Sequence, residues 1–105
     1  QKLNFRYIPE GLKSIGRTAF SHCTGISGLT LSSTVESIGD FAFYGCDSLK
    51  YVYCKATTPP ALYGSYVFDD NASGRRIIVP IGSGEAYRKA TYWKEYANDI
   101  IEDEF

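Results

Sequence analysis

The chain repeats itself with a step of 23 residues. Ile8 to Thr30 reads IPEGLKSIGRTAFSHCTGISGLT, and Leu31 to Tyr53 reads LSSTVESIGDFAFYGCDSLKYVY. Superposed, the two units keep Ser14/Ser37, Ile15/Ile38, Gly16/Gly39, Ala19/Ala42, Phe20/Phe43 and Cys23/Cys46. Apolar character is kept at Ile8/Leu31, Leu12/Val35, Ile26/Leu49 and Leu29/Val52. A unit this short cannot bury its apolar face alone, so a fixed period in this range calls for coils stacked into a solenoid with a shared core.

Each unit divides into two parts. Ile26–Leu31 and Leu49–Cys54 follow an L-x-x-L-x-L pattern, which predicts short strands with alternating faces. Leu29/Leu31 and Val52/Cys54 then point inward, and Thr30 and Tyr53 outward. Leu3–Ile8 holds the same frame one coil earlier, with Arg6 in a slot that calls for an apolar residue. The Ser-Ile-Gly-x-x-Ala-Phe-x-x-Cys half turns after its glycine, which puts Ala and Phe inside a short bend and stacks Phe20 on Phe43. A third, degenerate coil follows with a step of 25: Val52/Cys54 map to Ile77/Val79, Ala42-Phe43 to Val67-Phe68, and Cys46 to Asn71.

The pattern I-P-x-x-L-x-S-I-G-x-x-A-F-x-x-C-x-x-[IL]-x-x-[LV]-x-[IL] resembles the BspA-like class of leucine-rich repeats of bacterial surface proteins, closely over about residues 3–56 and more loosely to about 80. Thr58-Pro59-Pro60, Ile78-Val79-Pro80, Ala86-Tyr87, Trp93 and Ile100 resemble the segment that closes such arrays. Ser32, where Pro is usual, and Gly28 within a strand depart from the pattern. The resemblance implies an α/β fold: a short leucine-rich-repeat solenoid with parallel strands and a C-terminal helical cap. It also implies that Asn71 and Cys46 occupy an inward corner and meet backbone groups of the adjoining coil. One domain is expected over residues 1–105, with coils over 1–80 and the cap over 81–105. The start at Gln1 and the lack of Met suggest a piece of a longer chain. In the cap, Ser83 is expected to close the N-terminus of a helix over Gly84–Ala90 that continues irregularly toward Ala97. Tyr87, Ala90, Trp93 and Tyr96 recur at threes along one face. The acidic stretch Asp99–Phe105, with no basic partner in view, is expected to be solvated.

Chemistry has little foothold in this sequence. A net charge of −1 gives no reason to expect nucleic acid, and no apolar run approaches a membrane span. Cys23 beside His22, the only histidine, looks nucleophilic, but Cys23 occupies a repeat position expected to face the core, where a thiol is inert. Cys23 and Cys46 stand one rung apart with side chains poorly directed for a disulfide, so free thiols are expected. Gly82-Ser83-Gly84 is explained by turn and cap chemistry, and Asp69-Asp70-Asn71 loses Asn71 to the corner. No catalytic residue, metal or cofactor is expected.

The outward strand row is the candidate site. Tyr7, Thr30, Tyr53 and Ile78 alternate with the inward residues, and two positions earlier come Phe5, Gly28, Tyr51 and Arg76. Phe5, Tyr7, Tyr51, Tyr53 and Arg76 would therefore share one face. Aromatic rings with polar tips bury much area at little entropic cost, as contact surfaces require, although the same residues also simply favour strands. Together with the resemblance, this suggests a non-enzymatic binding or adhesion module at a bacterial surface or outside the cell. Its partner would be a host or bacterial surface protein or a glycan. The competing reading is a structural cap that ends a longer array and has no ligand of its own.

Overall fold

The computed structural model describes residues 5–105. Strands β1 (Phe5–Ile8), β3 (Gly28–Leu31), β5 (Tyr51–Cys54) and β7 (Arg76–Pro80) lie side by side in parallel, each one coil after the last. Their register pairs Arg6 with Leu29, Leu29 with Val52 and Val52 with Ile77, as the 23- and 25-residue steps predict. The inward residues Leu29, Leu31, Val52, Cys54, Ile77 and Val79 are all buried. Leu3 of the expected first strand lies outside the described residues.

The opposite side of the coils is more regular than the sequence suggests. Ser-Ile-Gly, read as the approach to a bend, forms a second parallel sheet: β2 (Ser14–Ile15), β4 (Ser37–Gly39) and β6 (Ala61–Tyr63). Two or three residues per strand are too few to show an alternation, so this sheet carries no periodic signal. Ile38 pairs with Leu62 at a step of 24, whereas Phe43 stacks on Phe68 at a step of 25. The two extra residues of the third coil are therefore split, one entering before β6 and one after it.

Between the sheets runs a column of rings. Phe20 and Phe43 stack at 5.3 Å, and Phe43 and Phe68 at 5.6 Å, with nearly parallel planes in both cases. Trp93 at 5.7 Å and Tyr96 at 5.8 Å continue the column into the cap. At the other end Phe20 is only half-buried, and Arg6, in its expected apolar slot, is exposed with its guanidinium 5.2 Å from the Phe20 ring centre. The misfit resolves as a cation over an open aromatic face. Corner side chains tie the coils together as expected. Cys46 Sγ donates to Phe20 O at 3.1 Å, and Asn71 Nδ2 donates to Phe43 O at 3.0 Å and Cys46 O at 3.3 Å.

The cap comprises α1 (Gly84–Lys89), a 3-10 stretch (Trp93–Asp99) kinked at Tyr96, and a strand the sequence does not announce, β8 (Ile100–Asp103). Tyr87, Trp93 and Tyr96 are buried, and each polar tip finds a partner in the third coil. Tyr87 Oη donates to Ala56 O at 2.7 Å, Trp93 Nε1 to Pro60 O at 2.7 Å, and Tyr96 Oη lies 2.9 Å from Asp69 Oδ1. The third coil thus departs from the repeat where its loop carbonyls hold the cap.

Two expectations about this region are corrected. Ser83 stands at the N-cap position but its side chain makes no cap bond: its hydroxyl donates back to Pro80 O at 2.7 Å, and the free helix N–H of Gly84 goes to Glu102 Oε2 at 2.8 Å. The acidic tail is not simply solvated, because β8 pairs with β7 from Ile77↔Ile100 to Pro80↔Asp103 and covers that edge. It also has basic partners: Arg75 lies 2.5 Å from Asp99, and Arg88 donates to Ile100 O at 3.0 Å.

Candidate binding face

The register of the large sheet assembles the outward row as the alternation predicts. Phe5, Gly28, Tyr51 and Arg76 are successive partners, and Tyr7, Thr30, Tyr53 and Ile78 are the next row. Gly28 has a specific use here. A Cβ at this position would stand 2.3 Å from the Phe5 ring, so the glycine lets that ring lie flat over the strand. Phe5 then stacks with Tyr7 at 6.1 Å and meets Tyr53 at 6.3 Å. Tyr7 is 68% exposed, which makes it the most accessible of the three large rings.

The row is not uniform. Ile78 is outward by register but buried, 5% exposed, between Tyr53 and Ile101 of β8. Tyr51 is half-buried beside Gly28 and Arg76, and Arg76 is exposed at the end of its row. The structure therefore divides the five sequence candidates. Phe5, Tyr7 and Tyr53 line a cleft of about 330 Å³ with Thr30, Lys55 and Phe105, while Tyr51 and Arg76 flank it without lining it. Lys55 could have been read from the alternation, as the next outward residue after Tyr53. Phe105 had no repeat signal to announce it; its ring meets Tyr53 edge to face at 6.1 Å.

A second set of rings, with Tyr66 exposed and Phe41 and Tyr44 half-buried, lies on the turn side and has no counterpart among the sequence candidates. Phe41 stacks on Tyr66 at 5.2 Å and meets Tyr44 edge-on at 5.3 Å, with the Arg17 guanidinium 5.6 Å from its centre. Asp40 Oδ1 fixes the pair by accepting the N–H groups of Phe41 and Tyr66, both at 3.0 Å. The available signal was the 25-residue step from Phe41 to Tyr66, the same as from Phe43 to Phe68. The neighbouring phenol of Tyr44 is raised by the adjacent Asp70 carboxylate.

The residues with chemical potential are occupied elsewhere. His22 is exposed in a left-handed corner (φ 62°), edge-on to Tyr44. Its repeat counterparts Gly45 and Asp70 share that conformation. Cys23, expected in the core, is half-buried at its open end. All three cysteines are free. Burial raises the Cys46 thiol, and burial raises that of Cys54 further, which keeps both protonated. Asn71 is committed to the corner and Asp69 to Tyr96, and among the described residues no group of three or more His, Cys, Asp or Glu could hold a metal. No described helix is long and apolar enough to cross a membrane.

Stacked parallel strands on one side, a second narrow sheet on the other, an aromatic column and an Asn/Cys corner define a leucine-rich-repeat module. Residues 1–91 match the family model of the BspA type leucine rich repeat region, and the chain belongs to that family. Comparison with curated proteins gives no match.

Proposed function

We propose that this module binds a protein or glycan through the outward face of its large sheet, as a non-enzymatic adhesion element of a bacterial cell-surface or secreted protein. The observation that carries the reading is the Phe5, Tyr7 and Tyr53 cluster. Three rings set side by side on a rigid parallel sheet, one of them 68% exposed, line a cleft with Thr30, Lys55 and Phe105. Rings held by strand register lose little entropy on binding, and aromatic anchors supply a large share of contact energy. Tyr51 and Arg76 extend the face toward β7 and add a cation at its rim. Family membership supports a repeat module and, with it, a surface setting.

The test is a screen of the protein against arrays of glycans and extracellular-matrix proteins, with Tyr51→Ala and Tyr53→Ala as controls. The expected result is a ligand whose binding falls at least about tenfold in Tyr53→Ala and less in Tyr51→Ala. Unchanged affinity in both variants would refute the site.

The second reading, a structural terminator with no ligand of its own, draws on the cap. Trp93, Tyr96 and β8 close the core and the sheet edge at one end of the array. A well-folded protein that binds nothing on the arrays would favour it.

A further inference from the structure

We infer that the outward cleft takes an acidic peptide segment carrying an aromatic residue, and that the chain's own Glu104-Phe105 is a resident competitor for it. This inference rests on the binding reading above and narrows its ligand to a polypeptide. The starting point is the path of the tail. β8 lies beyond β7, two strands from β5, yet Phe105 contacts Tyr53 of β5 at 6.1 Å. With neighbouring strands about 4.8 Å apart, β8 and β5 lie roughly 10 Å apart, so the Phe105 ring reaches back over the outer side of β7 to meet that of Tyr53. Asp103 Oδ1 accepts the Glu104 N–H at 2.8 Å where the strand ends. Ile78, the outward residue between Tyr53 and Ile101, is 5% exposed, as expected of a side chain beneath such a crossing.

The contact shows what the cleft accepts. Phe105 meets Tyr53 edge to face at 68°, a geometry in which the electropositive ring edge of one aromatic meets the electronegative face of another. Phe5 and Tyr7 supply further apolar wall. Lys55 borders this cleft and also the adjoining one, which Asp103 and Glu104 line, and it makes no ion pair among the described residues. An aromatic seat beside an available cation is complementary to a ring preceded by carboxylates, which is the chemistry of the tail itself. The tail is a weak occupant: Phe105 stays 57% exposed, so a partner segment of the same chemistry can displace it.

The probe is a fluorescently labelled pentapeptide with the sequence of residues 101–105, IEDEF, added in trans and followed by anisotropy. It is titrated into the wild type and into Phe105→Ala, Phe105→Ala/Tyr53→Ala and Phe105→Ala/Lys55→Glu. Removing the competitor should tighten peptide binding about five- to tenfold in Phe105→Ala. Tyr53→Ala should abolish that binding, and Lys55→Glu, a surface change that leaves the core alone, should weaken it and remove its salt dependence. Equal affinity for wild type and Phe105→Ala, no binding to either, or indifference to Lys55→Glu would overturn the inference. An array ligand that needs Tyr53 but is indifferent to Phe105→Ala would also overturn it, and would leave the broader binding function standing.

Discussion

Replacing Asn71 by Ala tests whether the corner amide holds the coils together. Asn71 Nδ2 reaches Phe43 O at 3.0 Å, Cys46 O at 3.3 Å and Asp69 O at 3.4 Å. Its Oδ1 accepts from Arg75 Nη1 at 3.1 Å. Truncation strips a partner from the two carbonyls of the preceding coil, although each keeps a turn bond, Cys46 N to Phe43 O at 3.4 Å and Leu49 N to Cys46 O at 3.0 Å. Arg75 keeps Phe68 O and Asp99. At about 1 kcal/mol for each good bond lost between coils, with a further contribution from the space left behind, the expected cost is roughly 2–3 kcal/mol. In urea, with a slope of about 2 kcal/mol per M, the midpoint should fall by roughly 1–1.5 M. Asn71→Cys supplies the internal control. Cys46 fills the same corner one coil earlier with a single bond to Phe20 O at 3.1 Å, so cysteine should recover about 1 kcal/mol of the loss. The assay is equilibrium unfolding followed by far-ultraviolet circular dichroism and tryptophan fluorescence, with equal slopes in all variants as the check on comparability. A midpoint for Asn71→Ala within 0.2 M of wild type (about 0.4 kcal/mol at that slope), or no advantage of Cys over Ala, would refute the corner mechanism.

Further outcomes follow from the same geometry. Gly39→Ala should destabilise by about 1–3 kcal/mol, because its Cβ would stand 2.4 Å from Arg17 N and 2.7 Å from Arg17 Cα, both backbone atoms. Its repeat counterpart Gly16→Ala, with nothing within 4 Å, should be neutral or stabilising by about 0.5 kcal/mol; equal effects at the two sites would contradict the close approach of coils. Glu102 is held below its usual carboxylate value of 4.5 by backbone N–H groups of Gly82 and Gly84. A depressed folded-state value means that its contribution is present above 4.5 and is lost as pH falls through the lower, folded value. The melting temperature of Glu102→Gln should therefore trail wild type at pH 7 and converge with it in strong acid; a gap that widens in acid would reverse the assignment.

Most of the scaffold could be read from the chain because a repeat converts one good alignment into many contacts. Placing Phe43 over Phe20, or Cys54 beside Leu31, needs only the 23-residue step and the alternation of strand faces. The corner role of Asn71 came through the same frame, with family resemblance supplying its meaning. What the sequence hid lies where strands are too short to show an alternation or where the period fails. β2, β4 and β6 are too short to show an alternation, and β8 is an acidic stretch whose partners, Arg75 and Arg88, come from other elements. Ser83 takes the N-cap position without a side-chain bond because a competing acceptor, Glu102, reaches the helix end from β8, a strand that no sequence pattern announces. In the candidate face, strand register delivered Phe5, Tyr7 and Tyr53, but which outward positions stay open depends on the fold-back of the tail. Ile78 and Phe105 are where local pattern gives way to tertiary path.

The proposed function places ligand contact on the outward face of the large sheet and not on the other aromatic cluster, at Phe41 and Tyr66. The most direct measurement compares dissociation constants, for whichever array ligand is captured, of wild type, Tyr53→Ala and Tyr66→Ala. All three proteins are first matched for melting temperature and circular dichroism. The expected result is at least about a tenfold loss for Tyr53→Ala, about 1.4 kcal/mol, and less than twofold for Tyr66→Ala. A loss confined to Tyr66→Ala would refute the outward face as the site and move it to the turn side.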